Sequence, residues 1–245
     1  MKGMVIDMIK AILWDIDGPL LNFEMSEKYA IKKCFEIFDM GECTDEMIAR
    51  YSGINRKYWE RLEKGVITKQ EVLVGRYREF FASEGLDVSK AEAFNAEYQV
   101  RLGDKAFFCD DCFSLIKGLC GTVKQYAVTN GTKTAQERKL KISGIGELLD
   151  GVFISDEIGF EKPNIKFFEH VFQNMEPYKK DEIMIVGDSL TSDITGGNNA
   201  GIICCWYNPK KQDNPTNLHI DYEIHNLWQI ENILNGTVRK FVNFC

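Results

Sequence analysis

Two aspartates one residue apart, Asp15 and Asp17, close a short apolar run and are followed at once by Gly18 and Pro19. In an extended strand residues i and i+2 point the same way, so the two carboxylates converge unless the chain bends. Paired negative charges are unfavourable unless a cation lies between them or one of them holds a proton. Either remedy suits metal-assisted acid/base chemistry. Further along, Thr129-Asn130-Gly131, Lys162-Pro163-Asn164 and Gly187-Asp188, with Asp193 five residues after Asp188, add a hydroxyl, a cation and two more carboxylates. Each piece alone also fits a plain role: a solvated turn for Asp15 and Asp17, a turn for Asn130-Gly131, a surface charge for Lys162, a helix cap for Asp188. Their order and placement distinguish them from chance.

That placement comes from the surrounding elements. Ala11–Trp14, Tyr126–Thr129, Gly151–Ile154, Ile183–Val186 and Ile202–Trp206 are short apolar runs without polar alternation, the pattern of strands buried on both faces. From about Phe107 these runs alternate with helical stretches such as Ile165–Asn174, which predicts βαβ units and a parallel sheet. Ligands of such sheets bind beyond the carboxyl ends of the strands. Each polar group above falls at a strand end or a helix start, and Pro163 is placed for the first position of the helix after Lys162. The stretch from about Leu21 to Lys105 has helical periodicity throughout, contains no proline, and is punctuated by Gly41, Gly53, Gly65, Gly85 and Gly103 into four or five helices. The expected organisation is an α/β catalytic core, residues 1–20 and 106–245, interrupted by an all-helical unit at 21–105.

Composition narrows the classes of function. The chain has 245 residues, 44% of them apolar, enough for a core plus a smaller unit. Its net charge is −7 and its Lys and Arg residues are scattered, which argues against a nucleic-acid-binding surface but not against a small anionic substrate. No apolar run approaches the ~20 residues needed to cross a bilayer. Residues 1–9 read as a short leader without the pattern of a signal peptide. The eight cysteines (34, 43, 109, 112, 120, 204, 205 and 245) read as reduced thiols. Cys204 and Cys205 fall in a buried strand, and the Cys109/Cys112 pair has neither a second pair nor a nearby His to complete a zinc site. The expected location is cytoplasmic.

The four motifs resemble those of the haloacid dehalogenase superfamily of phosphatases: Asp15-x-Asp17, Thr129, Lys162 and Asp188-x4-Asp193, over nearly the whole chain. The helical unit corresponds to that family's C1 cap, on a Rossmann-like parallel sheet. Val128-Thr-Asn-Gly131, Ile154-Ser-Asp-Glu-Ile-Gly159, Glu161-Lys-Pro-Asn164 and the run Asp193–Gly201 are similar to the branch of noncanonical pyrimidine 5′-nucleotidases. Tyr58-Trp59 and Gly65-Val-Ile-Thr68 add to that likeness.

The resemblance implies roles that physical chemistry supports. Asp15 would attack phosphorus and form an aspartyl-phosphate, splitting one hard displacement into two easier ones. Asp17 would protonate the leaving oxygen and then activate water. Mg²⁺ would sit on Asp15, the Asp17 carbonyl and Asp188, all hard oxygen ligands. Thr129 and Lys162, with Asn130 and Gly131, would bind the phosphoryl group, and Asp193 would support the metal site or Lys162 without binding the ion. Trp59, beside Tyr58 and Arg61, would grip a base. Pro19 stands where the family usually has Thr or Val, and its fixed φ would stiffen the turn after the nucleophile.

The implied activity is Mg²⁺-dependent hydrolysis of a small phosphorylated metabolite, a pyrimidine nucleoside 5′-monophosphate by the closest likeness. A phosphosugar phosphatase or mutase shares the same cap type. A haloacid dehalogenase would need neither Asp17 nor metal. A phosphoacceptor switch carries its acceptor Asp on a later strand and has no helical insert. Monomer and homodimer both stay open.

Overall fold

The computed structural model describes residues 9–237. All of the expected leader except Ile9 lies outside the described residues, as does Cys245. The chain divides into two compact units. One comprises the residues up to Asn22, Phe108–Gly131 and the chain from Gly144 on; the other comprises Phe23–Phe107 and Thr132–Ser143.

The first unit is built on six strands: β1 (Ala11–Trp14), β2 (Lys124–Thr129), β3 (Gly151–Ile154), β4 (Ile183–Gly187), β5 (Ile203–Tyr207) and β6 (Tyr222–Ile224). They form one sheet in the order β3-β2-β1-β4-β5-β6, with every neighbouring pair parallel. β1 is central, and Leu13 stands in register with Tyr126 on one side and Ile185 on the other. All four β1 residues are fully buried, the reason the run has no polar alternation. Its residues still alternate between faces. Ala11 and Leu13 join the cluster of Val128, Phe167, Phe168, Val171, Ile185 and Cys204. On the opposite side the Trp14 indole donates to Gln125 Oε1 at 3.3 Å, and Gln125 Nε2 donates to the Ile116 carbonyl. Five strands match the apolar runs to within two residues. β6 went unread because its three residues include Glu223 and it pairs on one side only.

The second unit holds α1 (Phe23–Ile37), α2 (Asp45–Glu63), α3 (Lys69–Glu84) and α4 (Ala91–Arg101). Their boundaries follow local chemistry. Thr44 caps α2 by accepting from the Met47 N–H, and Thr68 with Glu71 forms a reciprocal capping box on α3. Gly85 ends α3 at φ 67°, a left-handed conformation open to glycine. Gly53, expected as a break, lies inside α2, because a glycine without a cap or proline beside it only weakens a helix. The core is aromatic: Phe35, Tyr51, Tyr77, Phe80, Phe81, Phe94 and Tyr98 are buried, and Phe81 meets Phe94 edge-to-face at 5.0 Å.

One helix departs from the expected boundaries. The sequence pattern puts all of 106–245 in the α/β core, yet α6 (Lys133–Ser143) groups with the helical unit. Ala135 joins the aromatic cluster, Thr132 Oγ1 donates to Gln99 Oε1 at 2.8 Å, and Arg138 pairs with Asp104 at 2.9 Å. Such packing follows from tertiary contacts that helical periodicity does not encode.

The α/β unit is completed by α5 (Cys112–Leu119), α7 (Ser155–Ile158), α8 (Ile165–Asn174), α9 (Thr195–Ala200) and α10 (Gln229–Leu234), with a π-helical turn at Leu190–Ile194 before α9. α8 starts two residues later than Pro163 as its first position would place it. Asn164 is its cap, accepting from the Lys166 N–H at 3.0 Å, so Pro163 precedes the helix instead of opening it. No helix among the described residues is long and apolar enough to cross a membrane.

Candidate active site

The site is assembled at the carboxyl ends of β1, β2 and β4. Asp15 follows β1 directly, and its N–H donates to the Val186 carbonyl at 2.9 Å, which carries the ladder one residue further. Beyond it the chain bends. Asp17 bridges Leu21, with the Gly18 N–H donating to Leu21 O and the Leu21 N–H to Ile16 O, both at 2.9 Å. The bend separates the two aspartates, so the convergence allowed for a straight strand does not occur. The carboxylates that do gather are Asp15, Asp188 and Asp193, whose oxygens lie within 4.8 Å of one another. Asp17 stands outside that group, though its charge helps to raise the Asp188 carboxyl.

Lys162 is the hub. Its ammonium donates to Asp15 Oδ1 at 2.7 Å, Asp193 Oδ1 at 2.6 Å and the Val128 carbonyl at 2.8 Å. Three acceptors use the ammonium's full set of donors. The lysine is 1% exposed and Asp193 is fully buried, so the pairing is dry, not a screened surface bridge. Burial by itself drives the Lys162 ammonium down, but the Asp15 and Asp193 charges more than offset it and hold it above the ordinary lysine range. Burial pushes the Asp15 carboxyl well up; Lys162 opposes this, and the Asp193 and Asp188 charges add to it. Asp188 keeps solvent exposure at the mouth of the cluster, yet the crowding of protein atoms around its carboxyl, reinforced by the Asp193 charge, pushes it up to about 7.

Two glycines make room for these carboxylates. Gly18 has φ 121°, and a Cβ there would lie 2.5 Å from the Asp188 carboxyl carbon. At Gly187 a Cβ would come within 2.2 Å of the Asp193 carboxyl carbon. The sequence reading assigns neither glycine a role in the site. Their signal was a glycine next to an aspartate at a strand end.

Asp193 has both oxygens engaged, since Oδ2 accepts the Ser189 N–H at 3.1 Å. It therefore supports Lys162 and the loop after β4. Asp15 and Asp188 remain the carboxylates open to an ion. All three carboxylates ionised against one ammonium leave two net negative charges, the charge that one divalent cation neutralises. The donors are oxygens without His or Cys, the set that suits a hard cation such as Mg²⁺. The residues fit the ion the motifs implied.

The rest of the site orients these groups. Thr129, buried at the end of β2, accepts the Gly131 N–H on Oγ1 at 3.1 Å, which leaves its own proton to donate elsewhere. Asn130 turns toward Lys162: its Nδ2 donates to the Lys162 carbonyl and its Oδ1 accepts the Lys162 N–H, each at 2.8 Å. The Cys109 and Cys112 thiols donate to the Gly18 and Leu20 carbonyls at 3.2 and 3.0 Å, and the Cys109 N–H also reaches Leu20 O. The turn carrying Asp17 is thus tied down by bonds that do not need the N–H missing from Pro19. Trp59 lies in α2 of the helical unit, half-buried and outside the aromatic core, with the Arg76 guanidinium 6.0 Å from its ring centroid.

A parallel sheet with three carboxylates and a buried lysine gathered at its central strand ends is a frame that can hold a cation and an anionic group together. The chain belongs to the haloacid dehalogenase-like hydrolase family, whose description matches residues 9–201. It is 32% identical to the HAD-hydrolase YfnB of Bacillus subtilis over 92% of this chain and 95% of that protein. It is also 31% identical to the pyrimidine 5′-nucleotidase PynA of Streptococcus pneumoniae over 96% and 99% of the two chains, and 26% identical to the pyrimidine 5′-nucleotidase YjjG of Escherichia coli over 91% and 96%. The magnesium-bound crystal structure of YfnB superposes with a TM-score of 0.88, covering 93% of this chain and 99% of that one. The L-2-haloacid dehalogenase of Xanthobacter autotrophicus shares the fold at a TM-score of 0.72 and 15% identity, over 94% and 99% of the two chains.

Proposed function

We propose that this hydrolase is a Mg²⁺-dependent phosphatase of pyrimidine nucleoside 5′-monophosphates that works through a phosphoryl group carried on Asp15. The observation that supports it most is Lys162, buried and bonded at once to Asp15, Asp193 and the end of β2. A surface lysine has no reason to adopt that arrangement, and a phosphoryl-transfer site requires a fixed cation beside its nucleophile.

In the first step an Asp15 oxygen attacks phosphorus, the bond from phosphorus to the ester oxygen breaks, and Asp17 gives its proton to the departing nucleoside oxygen. In the second, water attacks the aspartyl-phosphate and gives its proton to Asp17, releasing phosphate and restoring the Asp15 carboxylate. Thr129 donates to a phosphoryl oxygen, and Lys162 balances charge on Asp15 and the phosphoryl group. Asp15, Asp188 and the Asp17 carbonyl would hold Mg²⁺, which would supply charge neutralisation for the phosphoryl oxygens.

Chelation is expected to stop turnover, with Mg²⁺ restoring it better than Ca²⁺. Ca²⁺ accepts more ligands at longer range and would take both Asp15 oxygens, spoiling the attack geometry. Full activity in excess chelator would point to metal-free displacement of the dehalogenase kind. Metal affinity should also depend on pH. With the Asp188 carboxyl pushed up to about 7, an ion must displace a proton below that pH and need not above it. Calorimetric titration of Mg²⁺ into the free protein should show weaker binding, with more proton release, at pH 6 than at pH 8. Equal affinity at both would mean that no ligand carboxyl holds a proton near neutral pH.

The nucleotide assignment rests on PynA and YjjG and on the Tyr58-Trp59-Glu60-Arg61 segment of α2. Trp59→Ala is expected to raise KM for dUMP or dTMP several-fold and barely change hydrolysis of a small aryl phosphate. The two substrates share the phosphoryl chemistry and differ in the part an aromatic ring could stack on. Equal losses on both would mean that the change only disturbs the helical unit. A screen of nucleoside monophosphates against phosphosugars tests the substrate class, and turnover confined to phosphosugars overturns it.

A further inference from the structure

Lys162 is held at both ends by two residues of one strand end, Val128 and Asn130. Val128 receives its ammonium through the carbonyl, while Asn130 engages its backbone through the side-chain amide. The amide orientation is unambiguous: the Lys162 N–H needs an acceptor and the Lys162 carbonyl needs a donor, so Oδ1 and Nδ2 can be assigned only one way. Two opposed 2.8 Å bonds to the N–H and C=O of a single residue reproduce what a neighbouring strand does in a ladder. Lys162 lies in no strand or helix, between α7 and α8, so no ladder of its own fixes its backbone.

Lysine reaches its target on a four-carbon stem with freely rotating bonds, and its point charge has no planar fork to set an angle. The place where the stem starts therefore decides whether one ammonium can meet Asp15, Asp193 and Val128 together. We propose that Asn130 is a positioning residue that sets this starting point, and that its side chain is not a substrate ligand. The amide has one acceptor and two donors, of which the clamp uses the acceptor and one donor. Thr129, one residue earlier, keeps its hydroxyl for the phosphoryl group, so adjacent residues divide the work: one faces the substrate and the other holds the lysine.

The proposal rests on the phosphatase reading only for its kinetic half, so its test has two readouts. The first is independent of activity. A buried ammonium with every proton hydrogen-bonded exchanges slowly, and Lys162 should give a distinct side-chain ¹⁵N–H resonance in the metal-free protein. Lys162→Arg, which removes that resonance, assigns it. Asn130→Ala is expected to broaden or abolish the signal while the protein still unfolds cooperatively. The second readout is turnover of a small aryl phosphate with Mg²⁺. There kcat should fall by about 10- to 100-fold, the scale of a catalytic group displaced by around an ångström, with KM changed by less than about threefold. Asn130→Asp keeps the side-chain volume and the acceptor for the Lys162 N–H but loses the donor, and should fall between. It also decides the matter if the alanine variant does not fold. A raised KM with unchanged kcat and an unchanged resonance would make Asn130 a substrate ligand and overturn the proposal. So would wild-type behaviour in both readouts. Loss of the resonance in a protein that hydrolyses no phosphate ester would keep the clamp and remove the phosphatase reading.

Discussion

Asp15→Asn is expected to lower phosphatase turnover by at least about 10⁴-fold, because an amide cannot form the acyl phosphate and the other groups then act on nothing. The fold should survive. The amide is nearly isosteric, and the Asp15 carboxyl is a group whose burial raises its pKa. A carboxyl with a raised folded-state pKa costs stability once the pH exceeds its unfolded value, and that cost grows until the folded group also ionises. Thermal unfolding of metal-free Asp15→Asn at neutral pH should therefore occur at or above the wild-type temperature. The difference should close in acid below the ordinary aspartate range, where both proteins carry a neutral group. Near-wild-type turnover in a pure preparation of this variant would remove Asp15 as the nucleophile.

Lys162→Ala should lose both activity and stability. It leaves Asp15 and Asp193 buried and facing each other without their counter-charge, a change that costs about 3–5 kcal/mol when one partner of a buried pair is removed. For a chain of this size that corresponds to a melting temperature lower by on the order of 10 °C. Turnover should fall about 10²- to 10³-fold, the range for loss of one preorganised donor at a charged transition state. Mg²⁺ should restore part of the melting temperature, because a divalent ion replaces some of the missing positive charge, and little of the turnover. Wild-type values in both measurements would make Lys162 a residue without a role in the site.

The central sheet was legible because residues buried on both faces leave unbroken apolar runs, as Ala11–Trp14 and Ile183–Gly187 do. The site was legible because its groups sit at the ends of those runs in a fixed order. What stayed hidden depends on contacts across the chain. No local signal says that α6 packs Ala135 into the aromatic cluster of the helical unit. None says that the chain bends after Asp15, carrying Asp17 away from the position a straight strand would give it. Pro163 suggested a helix start that Asn164 provides instead, because a side-chain acceptor for the first free N–H outweighs a favourable φ. Asn130 read as one more phosphate-facing residue, since its bonds to Lys162 span 32 positions of sequence. The Cys109/Cys112 spacing also fits metal or redox chemistry, but reads as packing without a second pair or a His; both thiols are hydrogen-bonded to the turn after Asp15.

The central claim is that the phosphoryl group passes through Asp15. Rapid acid quenching of the Mg²⁺-loaded enzyme during turnover of dUMP carrying a radiolabelled phosphate, followed by peptide mapping, tests it directly. The predicted result is protein-bound label that is stable to acid, labile to base and hydroxylamine, confined to the peptide containing Asp15, and absent from Asp15→Asn. Phosphate release with no protein-bound label at any quench time, or label on a residue other than Asp15, would contradict the account.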